Sequence, residues 1–205
     1  GIGIDENKQE ALKYYKLAAE KGNEDAMFMY ASMLYKDDET SVNKAEAAKY
    51  FKILAEKGNV NAMFRYAYML RNGEGVLINK EAAAKYFKIT AEQGNLKSIL
   101  NYANMLFEGD GVHKNKKEAA KYYKIAADKG NQKAMYKLAK ILYKGNSIPI
   151  NKEEAAKYFK KSAYKGNKSA MFYYALMLFK GEGVPINKEE AYKYYKLAAS
   201  KGNNN

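Results

Sequence analysis

Apolar residues recur along this chain at helical spacing, and the helices themselves recur at a fixed period. Between Asn7 and Gly22 the apolar positions are Ala11, Tyr14, Tyr15, Ala18 and Ala19, with Lys13, Lys16 and Glu20 on the opposite side. Those offsets follow a 3.6-residue period and predict a helix, A, with one buried face. A second helix, B, is predicted from about Glu24 to Lys36, with core positions Ala26, Tyr30, Ala31 and Leu34 that return as Ala170, Tyr174, Ala175 and Leu178. Small residues at fixed places let two backbones approach, while Tyr and Phe fill the space between neighbouring pairs. The Gly-Asn that closes helix A recurs at Gly22, Gly58, Gly94, Gly130, Gly166 and Gly202, always 36 residues apart. A fixed period of this size identifies a stacked repeat architecture. The expected fold is all-α, an α-solenoid of antiparallel helix pairs. Five full repeats (7–42, 43–78, 79–114, 115–150, 151–186) and a sixth helix A (187–203) form one array over residues 1–205 in this reading.

The polar punctuation supports these boundaries. Each helix A is expected to start at an asparagine cap: Asn7, Asn43, Asn79, Asn115, Asn151 and Asn187. Glu follows three residues on at Glu10, Glu46, Glu118, Glu154 and Glu190, the spacing of a capping box. The third copy has Ala82 there, so its box is broken. The loop from B to the next A reads Gly-x-Gly-Val at Gly73–Val76 and Gly109–Val112. A phosphate cradle would need a preceding strand and a third glycine opening a helix, and both are missing; the loop is a turn. Repeat one has Asp37, Asp38, Glu39, Thr40 and Ser41 instead, without calcium-loop spacing, and reads as a solvated variant. Residues 1–6 align with 181–186, so the chain is expected to begin inside the closing loop of a repeat, as a segment of a longer array. The sixth helix A, with Tyr194, Tyr195 and Ala198, has no B helix of its own and should expose part of its apolar face.

Composition narrows the function. The net charge of +13 calls for an acidic protein or a nucleic acid as partner. Of 36 basic residues only Arg65 and Arg71 are arginines, which weighs against nucleic-acid readout, since phosphate and base-edge readers lean on the planar guanidinium. Cysteine is absent, which removes disulfides, thiolate metal sites and a cysteine nucleophile, and suits a reducing compartment, expected to be the cytoplasm. No apolar run approaches the ~18 residues of a membrane span. The single histidine, His113, occupies a loop position held elsewhere by Leu77, Pro149 and Pro185, and reads as an incidental surface residue. The glutamates recur at capping positions. No constellation breaks the repeat as a catalytic site would, so no enzyme activity, cofactor or metal is expected.

The surface columns carry the partner reading. Lys13, Lys49, Lys85, Lys121, Lys157 and Lys193 form one ladder on helix A; Lys16, Lys52, Lys88, Lys124, Lys160 and Lys196 form a second. An invariant ladder cannot specify a base sequence, but it can hold an acidic peptide or, without specificity, phosphate. The column Leu17, Ile53, Ile89, Ile125, Lys161, Leu197 is apolar in five of six copies. It is expected to extend the core between repeats; alternatively it forms an apolar strip along a groove, and Ile53, Ile89 and Ile125 then join the lysines as partner-binding residues. Two helix B columns vary: Met29, Arg65, Asn101, Lys137, Tyr173, and Ser32, Tyr68, Asn104, Lys140, Leu176. Specific recognition is encoded there, or these are exposed sites that drift.

Ala11, Tyr14, Tyr15, Ala18, Ala19 and Gly22, with the loops Gly73–Val76 and Gly181–Val184, resemble position by position the Sel1-like repeat, a relative of the tetratricopeptide repeat. The resemblance covers essentially the whole chain. The family's usual Leu-Gly in helix B is here Tyr66-Ala67, Tyr102-Ala103 and Tyr174-Ala175, a change expected to alter helix spacing but not topology. The resemblance implies a right-handed superhelix that acts as a protein–protein adaptor, binding a peptide or domain in the groove lined by the first helices. Non-specific binding of nucleic acid or another acidic polymer by the lysine-rich surface is the alternative.

Overall fold

The computed structural model describes residues 2–36, 41–145 and 148–200, with side chains from residue 7 onward in the first stretch and from residue 43 in the second. Among them are eleven helices and no strand: α1 (Ile2–Glu20), α2 (Glu24–Lys36), α3 (Ser41–Glu56), α4 (Val60–Asn72), α5 (Lys80–Glu92), α6 (Leu96–Glu108), α7 (Lys116–Asp128), α8 (Gln132–Lys144), α9 (Lys152–Tyr164), α10 (Lys168–Lys180) and α11 (Lys188–Ser200). Odd numbers are the A helices and even numbers the B helices of the sequence pattern. The chain divides into two units, residues 1–98 with 110–113, and residues 99–109 with 114–205.

The A-to-B connection is three residues long, and its last two residues fix it. Gly130 adopts a left-handed φ of 86° that ends α7, and the next residue caps α8: Asn131 Oδ1 accepts from Ala134 N at 3.0 Å. Asn23, Asn59, Asn95 and Asn167 do the same at 2.8–3.0 Å. This second set of asparagine caps is what makes each hairpin so short. The predicted A-helix caps hold at Asn79, Asn115, Asn151 and Asn187, which accept from a backbone N–H three residues on at 2.9–3.0 Å. Asn79 caps even though Ala82 breaks its box. In the intact boxes Glu118 and Glu154 accept from the cap's own side-chain amide.

Asn7 and Asn43 are not caps, which corrects the expectation for the first two repeats: α1 begins at Ile2 and α3 at Ser41. Residues 2–6 are accordingly helix and not loop. A second loop glycine precedes three of the four capped A helices, and before Asn151 the sequence has Ser147 in its place. Gly183 (φ 71°) lies against the preceding A helix so closely that a Cβ would sit 2.3 Å from the Lys152 carbonyl carbon; Gly75 does the same on Lys44. In the sequence before α3, Glu39 of the first repeat stands at this glycine's position. Asp37–Thr40, and Gly202 with the rest of 201–205, lie outside the described residues.

The residue between the loop glycines clasps three elements together. Glu74 accepts from the Tyr35 hydroxyl, 39 residues earlier, at 2.7 Å. Asp110 pairs with Arg71 at 3.0 Å and with Lys80 at 2.7 Å. Glu182 accepts from Tyr143 and, at 3.0 Å, from Lys152. Hydrogen bonds from Lys80 and then Arg71 hold the Asp110 carboxyl below its usual range; Tyr143 and Lys152 do so for Glu182. The Glu182 bond, with burial, pushes the Tyr143 phenol up to about 12.

In the first unit α2 packs on both α1 and α3, and α4 on α3 and α5. Ala31, Ala47, Phe51 and Leu54 are wholly buried there, with Phe28 edge-on to Phe51 at 5.7 Å. Thr90 and Ser98 stand where other repeats have small or aliphatic residues, and they satisfy each other: Thr90 Oγ1 donates to Ser98 Oγ at 2.6 Å. In the second unit α8 packs on α7 and α9, and α10 on α9 and α11. Tyr123 and Phe159 are wholly buried. Each unit also contains edge-to-face tyrosine pairs that join a B helix to the next A helix, such as Tyr30–Tyr50 at 5.3 Å and Tyr102–Tyr122 at 5.0 Å. Helix α11 exposes its apolar side as expected: Ala191 is its one buried residue, Tyr192 is 69% exposed, and Tyr195 is half-buried where Phe159 is enclosed.

Candidate functional site

The two lysine ladders lie on the solvent face of the A helices, yet they differ electrostatically. Helical geometry puts residues three and four apart on neighbouring tracks of one face. In the second ladder Lys16 reaches Glu46 at 3.9 Å and Lys124 reaches Glu154 at 3.8 Å, each a box glutamate 30 residues on. Lys52 faces the broken box at Ala82 and pairs instead with Glu56, one turn along, at 3.8 Å. Lys160 lies over the Tyr174 ring at 5.7 Å. Lys88 is exposed. In the first ladder Lys193 bonds Glu189 at 2.9 Å. Lys13, Lys49, Lys85, Lys121 and Lys157 are exposed and make no ion pair among the described residues. Exposed pairs contribute only about 0–1 kcal/mol to stability. Their consequence here is local: part of the second ladder is offset by carboxylates, while most of the first keeps its full charge.

The aliphatic column one turn beyond the first ladder does not extend the core as expected. Leu17, Ile89, Ile125 and Leu197 are 41–48% exposed. Ile53 is half-buried against the core of the first unit. The neighbouring positions Leu54 and Ala126 already fill the interior, which leaves the preceding residue on the boundary between core and solvent. Each unit therefore carries aliphatic side chains beside unpaired lysines on one helical face.

The variable helix B columns are mostly engaged with neighbours. Arg65 covers the Tyr35 ring at 5.7 Å, Lys137 donates to Asn104 at 2.8 Å, Lys140 covers Tyr136 at 5.6 Å, and Tyr173 stacks on Phe159 at 5.1 Å. Their variation follows packing partners more than a free surface. His113 is exposed, and no group of three or more His, Asp or Glu among the described residues could hold a metal ion. Gly75, Gly111 and Gly183 lie against helix backbone, and Gly73, Gly109 and Gly181 take left-handed φ values that end the B helices, which accounts for them without a phosphate. Among the described residues no helix is long and apolar enough to cross a membrane.

Comparison with known proteins agrees with the geometry. The family model described as Sel1 repeat matches six times, at 1–23, 24–59, 60–95, 96–131, 132–167 and 168–203. From residue 24 onward it frames each copy from helix B to helix A, with the same 36-residue period, and the match at 1–23 holds a single A helix. Of solved structures, a Sel1 repeat protein from Oxalobacter formigenes is 26% identical with a TM-score of 0.84, over 99% of this chain and 84% of that one. A protective antigen of uropathogenic Escherichia coli strains, displaying an SLR fold, is 24% identical with a TM-score of 0.75. That match covers 94% of this chain but only 49% of the antigen, so the chain spans about half the antigen's length. An immunity protein from Pseudomonas aeruginosa shares the fold at 20% identity and a TM-score of 0.52, over 94% of this chain and 73% of that one. No curated protein matches the sequence.

Proposed function

Because this chain belongs to the Sel1 repeat family, whose members are generally protein-interaction scaffolds, we propose that it holds an acidic peptide or protein domain against the solvent face of its A helices. One observation carries the reading. Lys13, Lys85 and Lys121 have no ion pair among the described residues, and each stands one turn from an exposed Leu17, Ile89 or Ile125. Cations with low competition from nearby carboxylates attract acidic side chains, and the aliphatic groups beside them supply apolar area that a bare phosphate backbone would not use. Lys49 with Ile53, and Lys157, extend the same arrangement within their own units. Lys193, and the second ladder at Lys16, Lys52 and Lys124, contribute less, because carboxylates already engage them.

The test is capture from host lysate at physiological salt, with nuclease present, comparing the wild-type chain with one carrying Lys85→Glu and Lys121→Glu. A discrete set of proteins retained by the wild type and lost from the variant is the expected result. Capture that disappears with nuclease would replace this reading with non-specific binding of nucleic acid, whose affinity falls steeply with salt through counterion release.

A further inference from the structure

Helix α9 breaks the repeat at two exposed positions one turn apart. Where the other A helices carry Leu17, Ile53, Ile89, Ile125 and Leu197, it has Lys161. Where α1, α3, α5 and α7 end in Glu20, Glu56, Glu92 and Asp128, it ends in Tyr164. One change adds a cation and the other removes the carboxylate that would sit beside it. Lys157, Lys160, Lys161 and Lys165 thus share this end of α9, and none of the four makes an ion pair among the described residues.

These lysines line a cleft of about 580 Å³ together with Met135 of α8 and Tyr194 of α11. Tyr164 also lines it and is 91% exposed, the most exposed tyrosine of an A helix. Two of the ammonium groups are held near rings, Lys160 over Tyr174 and Lys161 over Tyr158, which brings their methylene stems along the protein surface. The hollow is therefore apolar within and cationic at its rim, and its volume lies in the range of about 300–1,000 Å³ typical of ligand clefts.

We infer that this cleft binds an acidic peptide segment by one aromatic side chain, with carboxylates on either side meeting the four lysines. The inference rests on the scaffold reading above and adds to it a second location, with its own partner chemistry. An aromatic ring matches the Met135, Tyr164 and Tyr194 walls, and flanking carboxylates match the rim. A nucleic-acid strand would need cations spaced along a track, whereas these four converge on one hollow.

The experiment uses the full 205-residue chain and a fluorescent, acetylated pentapeptide with one phenylalanine between two glutamates on each side, followed by anisotropy. Two control ligands are the same peptide with alanine at its centre and a five-nucleotide oligothymidylate. The variant combines Lys161→Ile with Tyr164→Glu; these residues stand at the same offsets in other repeats of this protein, and a circular dichroism melt confirms its fold. Saturable binding is expected, weakened roughly tenfold or more by the variant and by the alanine peptide, as loss of a hydrophobic anchor or of charge pairing implies. Binding unchanged in the variant, or equal for the alanine peptide, overturns the proposal. Tighter binding of the oligonucleotide than of the peptide overturns it too. Lys85 and Lys121 do not line the cleft, so their reversal should leave peptide affinity unchanged. The lysate test and the peptide test therefore fail separately.

Discussion

Helices α7 and α9 occupy the same place in successive repeats, and they agree inside and disagree outside. Both start at a capping asparagine with a glutamate three residues on, and both bury the alanine pair that follows it and their second aromatic residue. Tyr123 of α7 donates its hydroxyl to Asn104 at 2.7 Å, while Phe159 of α9 stacks on Tyr173 with rings 6° from parallel. Tyr122 meets the Tyr102 ring edge-on; Tyr158 finds Leu138 in the equivalent place, is buried more deeply, and donates to Asp128 at 3.2 Å. Burial, followed by the Asp128 charge, pushes the Tyr158 phenol up to about 12. On the outside Ile125 and Asp128 become Lys161 and Tyr164. Stacking demands one shape from every copy, whereas solvent demands only polarity, so individuality gathers on the exposed turns.

The largest expected effect tests the shared interior. Phe159→Ala should cost about 3–5 kcal/mol in urea unfolding, because a fully enclosed ring leaves a cavity the neighbours cannot close. Next comes the contact between loop and helix. Gly183→Ala places a Cβ against the Lys152 backbone at a left-handed residue and should cost about 2–4 kcal/mol. Gly130→Ala has only the Lys165 ammonium within reach and should cost about 1–2 kcal/mol, the left-handed penalty alone. Equal losses at the two glycines would show that the close approach to Lys152 carries no weight.

The hydroxyl that distinguishes α7 from α9 should matter less. Tyr123→Phe is expected to cost about 1 kcal/mol, since Lys137 still donates to Asn104. Titration sharpens the comparison further. Glu182 clasps the start of α9, and its carboxyl is held below the ordinary value of about 4.5. A group depressed by folding stabilises above its unfolded pKa and loses that contribution as pH falls through its folded pKa. The melting temperature should therefore decline below about pH 4.5 with a component that Glu182→Gln removes; an unchanged acid slope in the variant would dismiss the clasp. The residue 36 positions earlier in the sequence is Asn146, which cannot titrate. The smallest effect belongs to the outer face: Lys161→Ile should shift stability by less than about 0.5 kcal/mol.

Much of this was legible without coordinates. The 3.6-residue spacing named Ala26, Tyr30, Ala31 and Leu34 as core, and all four are buried. The asparagine caps held at Asn79, Asn115, Asn151 and Asn187, and failed at Asn7 and Asn43, where α1 and α3 begin before the asparagine. The aliphatic column was the instructive error: Ile125 sits next to a core position in sequence, and neighbouring residues point 100° apart on a helix, so period alone could not decide its side. The clasp of Glu74 with Tyr35 had a faint signal, an acid between two glycines with a hydroxyl or guanidinium 39 residues earlier, three more than the repeat.

The sequence alone determined the repeat, its helices and its buried columns, because these depend on periodicity and capping, which act within a few residues. Tertiary structure alone decided which lysines keep their charge, and that Lys161, Tyr164, Met135 and Tyr194 share one cleft. Those outcomes depend on distances between helices, set by how alanines and aromatic rings pack, and a gap of a few ångströms separates a paired ammonium from a free one.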